Sequence, residues 1–512
     1  LILLIEPFSK NVDMYVPAYP LPLVEIASFV KARIPTVEIE IRSLAMDYGL
    51  PIGSAGKALI YERLLTDIDR YEPTGIGISC TAIAQAEETL SLCDRIKARN
   101  PEIFIFLGGY FPSLYYAEIF ARSRAVDLIV IGEGERPALE IIDRLEKGKN
   151  PKDDAVAGLV WQRDDRVHLT APPRRFPLEQ KALLNLSLLQ RPDSYEILPY
   201  SFSRGCHYRC SFCMEDVLRP RHQKVPKNIV ERDLADLSAS TRAGTLLACD
   251  ALFKSYDYFP LLQRLNQKIN FETRCDTLDP ALLEHFADVC GILALGLESA
   301  SYDSLRRMNK IRDRSHYQSY LAQAEAIFKS AVKNEIPIMI FMIVGYPGDR
   351  EQDVKQSLAF AQKLAARKGD GGYVFKVGET RLYPKTRIYE WAAAQPHVVF
   401  EEMGVFGENV VRQPSKDLTF ATLEAYMQDI FSLSRSTPKL QERLGNLMPF
   451  FRIPLQVFKD ESLPAACFLD GDREILNTQS ANLAVFRESL SAVLPKYRTA
   501  RAGQRSTRTL PL

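Results

Sequence analysis

What most constrains the fold of this chain is an alternation of short apolar runs with helical stretches, played out twice along 512 residues. In the first 150 residues the runs fall at 1–6, 37–44, 75–80, 103–108 and 128–132. Helical patterns lie between them at 22–32, 84–99, 115–122 and 136–147. Runs that are apolar throughout fit strands covered on both faces, as in a parallel sheet flanked by helices. A doubly wound α/β sheet of flavodoxin or Rossmann type is the expected fold for 1–150. Ligands of such sheets bind outside the carboxyl ends of the strands. The candidate binding residues are therefore Ser79 and Thr81, then Gly108, Gly109 and Tyr110, then Gly132, Glu133 and Gly134. Small residues there let backbone approach a large flat ligand, although tight turns also produce glycine at strand ends.

The second alternation starts near residue 200. Apolar, partly β-branched runs at 244–249, 269–274, 291–298, 336–344 and 372–377 follow a first extended segment before Cys206. Helical patterns fall at 227–238, 279–289, 317–332 and 353–367. Six strand–helix units predict an arc of parallel strands with its chemistry at the strands' carboxyl ends. Those ends carry Asp250, Arg274, Glu298 and Gly345.

Between the two patterned regions, 151–199 reads as a linker with a hairpin, since two apolar runs flank Arg163-Asp164-Asp165.

The loop that opens the second region is Ser203-Arg204-Gly205-Cys206-His207-Tyr208-Arg209-Cys210-Ser211-Phe212-Cys213. Its C-x3-C-x2-C spacing lets three thiolates hold three corners of one cubane iron–sulfur cluster, leaving the fourth iron open to a small molecule. The alternative is a structural zinc with His207 as fourth ligand, but zinc sites usually show two separated pairs of Cys or His. Disulfide frameworks belong to small secreted domains. The other six of the nine cysteines form no C-x-x-C pair, so no second cluster is signalled.

The cysteine spacing, with Phe212 before the last cysteine, resembles the signature of radical S-adenosylmethionine (SAM) enzymes. Asp250 with Phe253, Gly296-Leu297-Glu298-Ser299 with Met308-Asn309-Lys310, and Val344-Gly345-Tyr346-Pro347-Gly348 resemble further elements of that family. A Gly-Gly loop after the fourth strand and Gly-Glu-Gly-Glu after the fifth look like the cobalamin-binding domain of its cobalamin-dependent members. The resemblance covers nearly all of 1–400. It implies a [4Fe–4S] cluster on Cys206, Cys210 and Cys213, SAM against Phe212, Asp250, Arg274, Glu298 and Gly345, and cobalamin on the strand-end residues of 1–150. It further implies a partial (β/α)6 barrel over 200–395 and methylation of an unactivated carbon of a small molecule by way of a 5′-deoxyadenosyl radical. An electron donor such as flavodoxin or ferredoxin is implied as well. The D-x-H-x-x-G motif that gives cobalt a histidine is absent, and no histidine precedes His168. Many members of the class also lack it.

A cyclase or ring-rearranging enzyme with the same cofactors is the first rival, and product mass separates it from a methyltransferase. A methylthiotransferase needs three further N-terminal cluster cysteines, whereas only Cys80 and Cys93 precede the motif. A non-catalytic corrinoid-binding protein would not cleave SAM. A net charge of +1 gives no argument for nucleic acid as partner, and no apolar run is long enough to span a membrane. A cytoplasmic location is expected. Residues 396–497 read as a mainly helical region, with helices at 418–434, 438–447 and 483–494, and 498–512 as a disordered basic tail.

Overall fold

The computed structural model describes residues 1–447, apart from 9–17, 50–52, 165, 193–194, 196, 241–244, 368 and 404–407. The expected helix at 483–494 and the tail at 498–512 lie outside the described residues. Two compact units result, one built on Leu1–Leu198 and the other on Pro199–Ser238 with Gly244–Leu444.

The first unit holds β1 (Ile2–Glu6), β2 (Ile39–Ser43), β3 (Gly75–Ser79), β4 (Phe104–Gly108) and β5 (Leu128–Val130), followed by β6 (Leu159–Arg163) and β7 (Arg166–Leu169). They form one sheet in the order β2-β1-β3-β4-β5-β6-β7. The first five pair in parallel, and the order reverses between β1 and β3, the switch point at which such sheets bind ligands. Ser79 and Gly108 are register partners at that edge. The expected five strands are all present.

Three features depart from expectation. A helix at Gly53–Tyr71 was not anticipated; it buries Ile60, Tyr61, Leu64, Leu65 and Ile68 on one stripe. The helix expected at 115–122 starts at Tyr110, and its backbone is non-helical at Tyr115, where the expected helix began. The hairpin of the linker does form, but β6 pairs antiparallel with β5 and so extends the sheet. The linker belongs to the first unit, tied in by bridges from Leu189 to Ile41 and from Ile197 to Ala18.

The second unit is an arc of six strands in the order β15-β14-β13-β12-β11-β8. These are β8 (Ile197–Tyr200), β11 (Thr245–Ala248), β12 (Lys268–Arg274), β13 (Cys290–Glu298), β14 (Ile338–Val344) and β15 (Tyr373–Glu379). A two-residue ribbon, β9 (Ser203–Arg204) with β10 (Gln223–Lys224), precedes β11. Strands β11 to β15 pair in parallel. The helices Arg314–Lys333 and Glu351–Ala365 bury Phe328 and Phe360 among the residues they turn toward the arc. An aromatic cluster of Phe202, Phe253, Phe259 and Phe271 fills the space behind the first strands, with Phe253 and Phe271 centroids 5.0 Å apart. Phe253 is thus a core residue, fully shielded from solvent.

Beyond the arc, the expected helices appear at Phe420–Ser432 and Pro438–Leu447. The region also holds strands that were not expected: β16 (Arg381–Leu382), β17 (Val399–Met403) and β18 (Glu408–Gln413) make an antiparallel sheet ordered β16-β18-β17. Arg435 then bridges back to Tyr373, and Phe375 N donates to Ser434 Oγ at 3.0 Å, which covers the free edge of β15.

Candidate functional site

The loop carrying Cys206, Cys210 and Cys213 leaves β9 and ends at the short helix Glu215–Leu218. The three thiols lie within electrostatic reach of one another. Burial pushes the Cys206 thiol up and the Cys213 thiol up to about 12. A buried thiol of this kind gives up its proton to a binding metal, so ligation and deprotonation are coupled. Among the described residues no three His, Cys, Asp or Glu side chains converge on a single-ion site. Cubane ligands each hold a different iron, so the cluster reading does not require such convergence.

Arg274, at the end of β12, braces this loop. Its Nη1 donates to Cys210 Sγ at 3.3 Å, and its guanidinium lies 3.8 Å from the Tyr208 ring centroid. The Asp276 carboxylate fixes it through two bonds of 2.9 Å, and Nη2 also donates to Lys310 O at 2.9 Å. A guanidinium N–H aimed at the sulfur complements the charge of an iron-bound cysteine, so the donor set fits an iron–sulfur cluster. Most of the N–H donors of Arg274 are therefore engaged, so the residue braces the cysteine loop and keeps one Nη1 N–H beyond these bonds.

Asp250 supports the same loop. It is buried; Oδ2 accepts from Phe202 N at 3.1 Å and Oδ1 from Ser203 Oγ. Burial lifts its carboxyl to about 7. The side chain anchors the segment that leads into the cysteines. Ser211, inside the loop, is held by three elements: its N donates to Met308 O at 3.0 Å and its Oγ to Arg307 O at 2.6 Å, the Tyr346 hydroxyl lies 2.8 Å from that Oγ, and its O accepts from Ile388 N at 3.0 Å. Asn309 Nδ2 donates to Arg209 O at 2.6 Å. The Met308-Asn309-Lys310 and Gly345-Tyr346 stretches thus clamp the cluster loop. Phe212 is half-buried, with its ring 6.3 Å from that of Tyr346. Gly345 holds φ +75, a left-handed conformation that strains any residue with a side chain, and it packs against the tip of Leu423.

Glu298 ends β13 at a register shift and holds φ +65, a left-handed conformation rare for a residue with a side chain. Such strain gathers at functional positions. The almost fully buried Lys310 Nζ pairs with Glu298 Oε1 at 2.9 Å and with Gly296 O at 2.7 Å. The carboxylate keeps further acceptor capacity and partial exposure, which suits it to hydroxyl or ammonium donors. Sequence reasoning missed Asp276, Tyr208 and Ser211 as supports; their only signal was closeness to Arg274 or to the cysteines.

In the first unit, the expected strand-end residues line one edge. Ser79 closes β3 beside Gly108, which closes β4, and Cys80 N donates to Gly108 O at 2.8 Å. A Cβ on Gly108 would meet nothing within 4 Å, so that position is open. Gly109, at φ +109, passes so close to the Cys80 carbonyl that a Cβ would lie 2.3 Å from its oxygen. Thr81 is exposed, and Tyr110 starts the following helix. Gly132 N donates to Ser113 Oγ at 3.1 Å. Gly134 is crowded by Ile26. Glu133 Oε2 accepts from Phe176 N at 2.7 Å, so this carboxylate ties down the linker. The rim from Ser79 to Gly108, with its open position, fits a broad flat cofactor.

A 2-1-3-4-5 sheet with such a rim, in one chain with a six-stranded arc bearing three cysteines, defines a cobalamin-dependent radical SAM protein. The chain belongs to that class: the B12 binding domain matches residues 16–142 and the radical SAM superfamily matches residues 200–361. Its cofactors are cobalamin, a [4Fe–4S] cluster and SAM, and it is methyltransferase-like. It is 24% identical over 375 residues to an uncharacterized methyltransferase of Pyrococcus horikoshii, a span of 67% of this chain and 74% of that protein. It is 28% identical over 169 residues to the anaerobic magnesium-protoporphyrin IX monomethyl ester cyclase of Rubrivivax gelatinosus, covering 30% of each chain. In fold it is similar to the radical SAM methyltransferase TsrM of Kitasatospora setae with cobalamin and [4Fe–4S] cluster bound, at a TM-score of 0.66 and 14% identity over 98% of this chain and 99% of that one.

Proposed function

We propose that this chain transfers a methyl group from SAM to an unactivated carbon of a small-molecule substrate, in the cytoplasm and with electrons from a flavodoxin or ferredoxin. The observation that carries the reading is the braced cysteine loop, with Arg274 on Cys210 and Ser211 clamped from three sides, in a chain that also holds an open cobalamin-type rim. When bound, the cluster supplies the electron that splits SAM to a deoxyadenosyl radical, and cobalamin carries the methyl group. The protein's own part is positional. Cys206, Cys210 and Cys213 hold iron; Arg274 and Asp250 keep the loop in place; Glu298 accepts hydrogen bonds from ribose hydroxyls or the methionine ammonium. Phe212 and Gly345 stand beside that pocket. Ser79, Thr81, Gly108, Gly109, Tyr110, Gly132 and Gly134 border the corrin, and Glu133 supports them through Phe176. Holding the reacting carbons in contact is the largest service a scaffold offers such chemistry.

The test is anaerobic reconstitution with iron, sulfide and hydroxocobalamin, followed by turnover with deuteriomethyl SAM. One corrinoid and one cluster per chain, with deuteriomethylcobalamin and deoxyadenosine formed, is the expected outcome. A cluster and deoxyadenosine without corrinoid would sink the reading of residues 1–150. The likeness to a named cyclase favours one second reading, oxidative cyclisation with the same cofactors. In that case corrinoid binds and product mass shows no added CH2.

A further inference from the structure

The outer side of the cysteine loop carries a charge that no step above uses. Residues 200–227 hold six Arg or Lys against two acids, in a chain whose net charge is +1. Both acids are withdrawn from solvent. Glu215 is buried and pairs with Arg219 at 2.6 Å, and Asp216 keeps only 9% of its side chain exposed. The cations stand out instead. Arg209, next in the chain to Cys210, has 68% of its side chain exposed, and Arg221, Lys224 and Lys227 are exposed as well.

The helix Arg387–Ala393 lies against the same loop. Ile388 N donates to Ser211 O at 3.0 Å, and the Arg387 guanidinium donates to Arg209 O. Arg209 and Arg387 both close on Asp216, at 3.0 and 3.2 Å, so two guanidinium groups share one carboxylate and keep a surplus positive charge. The helix buries Ile388 and Ala392 and turns Arg387, Glu390 and Trp391 to solvent. Arg387 and Trp391 are four residues apart and therefore neighbours on one face. Trp391 is 38% exposed. It rests on the turn at Gly348, where a Cβ would lie 3.2 Å from Trp391 Cη2 and 3.3 Å from Arg307 Cδ, and the Arg307 carbonyl holds Ser211. Tryptophan and arginine side by side are the composition of interface anchors. Glu390 is the single acid of that helix.

Each reductive cleavage of SAM consumes an electron delivered from outside the chain, and electron tunnelling falls off exponentially with distance. A protein seated on Arg209 comes within one residue of Cys210, about 3.8 Å between neighbouring Cα atoms. We propose that Arg209, Arg387 and Trp391 form the docking face for an acidic one-electron carrier protein of the flavin or iron–sulfur class. Its carboxylates meet the two arginines, and its apolar surface packs on Trp391. One electron passes from the reduced carrier to the oxidised cluster on Cys206, Cys210 and Cys213; the carrier is oxidised by one electron, and no bond or proton moves. The proposal rests on the reading in which a flavodoxin or ferredoxin supplies the electron, and it adds where that carrier binds.

The test is fluorescence anisotropy of dye-labelled flavodoxin and ferredoxin, both acidic, titrated with the anaerobically reconstituted full chain. Cytochrome c, a basic carrier, is the comparison. At least one acidic carrier binds, about 10-fold or more weakly at 300 mM salt than at 50 mM, and cytochrome c does not. Arg209→Gln, Arg387→Gln and Trp391→Ala each weaken that binding about 5- to 30-fold, whereas Glu390→Gln tightens it about 2- to 5-fold. The second readout is deoxyadenosine formation driven by the reduced carrier, divided by that driven by reduced methyl viologen, a small cation. This ratio falls in the three weakened variants and rises in Glu390→Gln. Binding of neither acidic carrier, an affinity indifferent to salt, equal binding of cytochrome c, or a ratio unchanged in all four variants overturns the proposal. The salt series and the Glu390→Gln gain decide even where another variant loses its cluster. Carrier binding and deoxyadenosine without methyl transfer overturn the methyltransferase reading alone. Methyl transfer driven by viologen in a chain that binds neither carrier overturns this one alone.

Discussion

Arg274 shows how little a residue's type reveals of its duty. A guanidinium at a strand end beside three cysteines reads equally well as a SAM-carboxylate partner and as a loop brace. The placement of Asp276 and of the Lys310 carbonyl supports the brace, because together they engage Nε and Nη2 and turn Nη1 toward Cys210. Replacement by methionine removes a charge-assisted bond worth about 1.5–3 kcal/mol and the stacking on Tyr208. Arg274→Met is expected to retain clearly less iron and sulfide per chain after reconstitution, with a changed electron paramagnetic resonance signal in the reduced state. Arg274→Lys keeps the charge without the planar fork and falls between. Iron content equal to that of the unsubstituted chain in both would show that the loop needs no brace. The cysteines were legible from spacing alone. The duties of Asp250 and Arg274 were not, since a buried polar side chain looks the same in sequence whether its partner is backbone or cofactor.

At the scale of elements, the two glycines that end β4 make a separable pair. A methyl on Gly109 would collide with the Cys80 carbonyl and hold a positive φ, strain worth about 1–3 kcal/mol or more. Gly109→Ala should lower the thermal midpoint by roughly 2–10 °C, followed by circular dichroism. Gly108→Ala meets open space, so its melting should match the unsubstituted chain while corrinoid uptake falls. Equal effects in the two variants would contradict the assignment of one to folding and the other to binding. The parallel strands were legible because each is a continuous apolar run bounded by a small residue. The helix at Gly53–Tyr71 was legible and missed: Ile60, Leu64 and Ile68 recur every fourth residue, but Gly53 and Gly56 obscure its start. The attachment of β6 to β5, and the β17–β18 ribbon built on short apolar pairs such as Val410-Val411, depend on partners that no local pattern names.

At the scale of the molecule, buried carboxyls tie the stability of the first unit to pH. In the first, burial lifts the Glu6 carboxyl to about 7, and burial also lifts nearby Asp47 to about 6. Both values exceed those of the unfolded chain, so the folded state binds more protons between about pH 4 and 7. Stability is therefore greatest at the acidic side of that window and falls as pH rises through it, by on the order of 3 kcal/mol for Glu6 alone. The thermal midpoint of the first unit should be higher at pH 5.5 than at pH 8, and Glu6→Gln should flatten the slope, since the amide oxygen still accepts from Ser43. A slope unchanged by that substitution would place the proton elsewhere. The second unit carries a consequence in time. The free edge of β15 is covered by Ser434, 59 residues downstream of Phe375. At a synthesis rate of about 5–20 residues per second, the growing chain exposes an unpaired strand for roughly 3–12 s before its cover exists. For that interval the arc's last edge is a template for stray strand pairing, which the arrival of Ser434 and Arg435 closes.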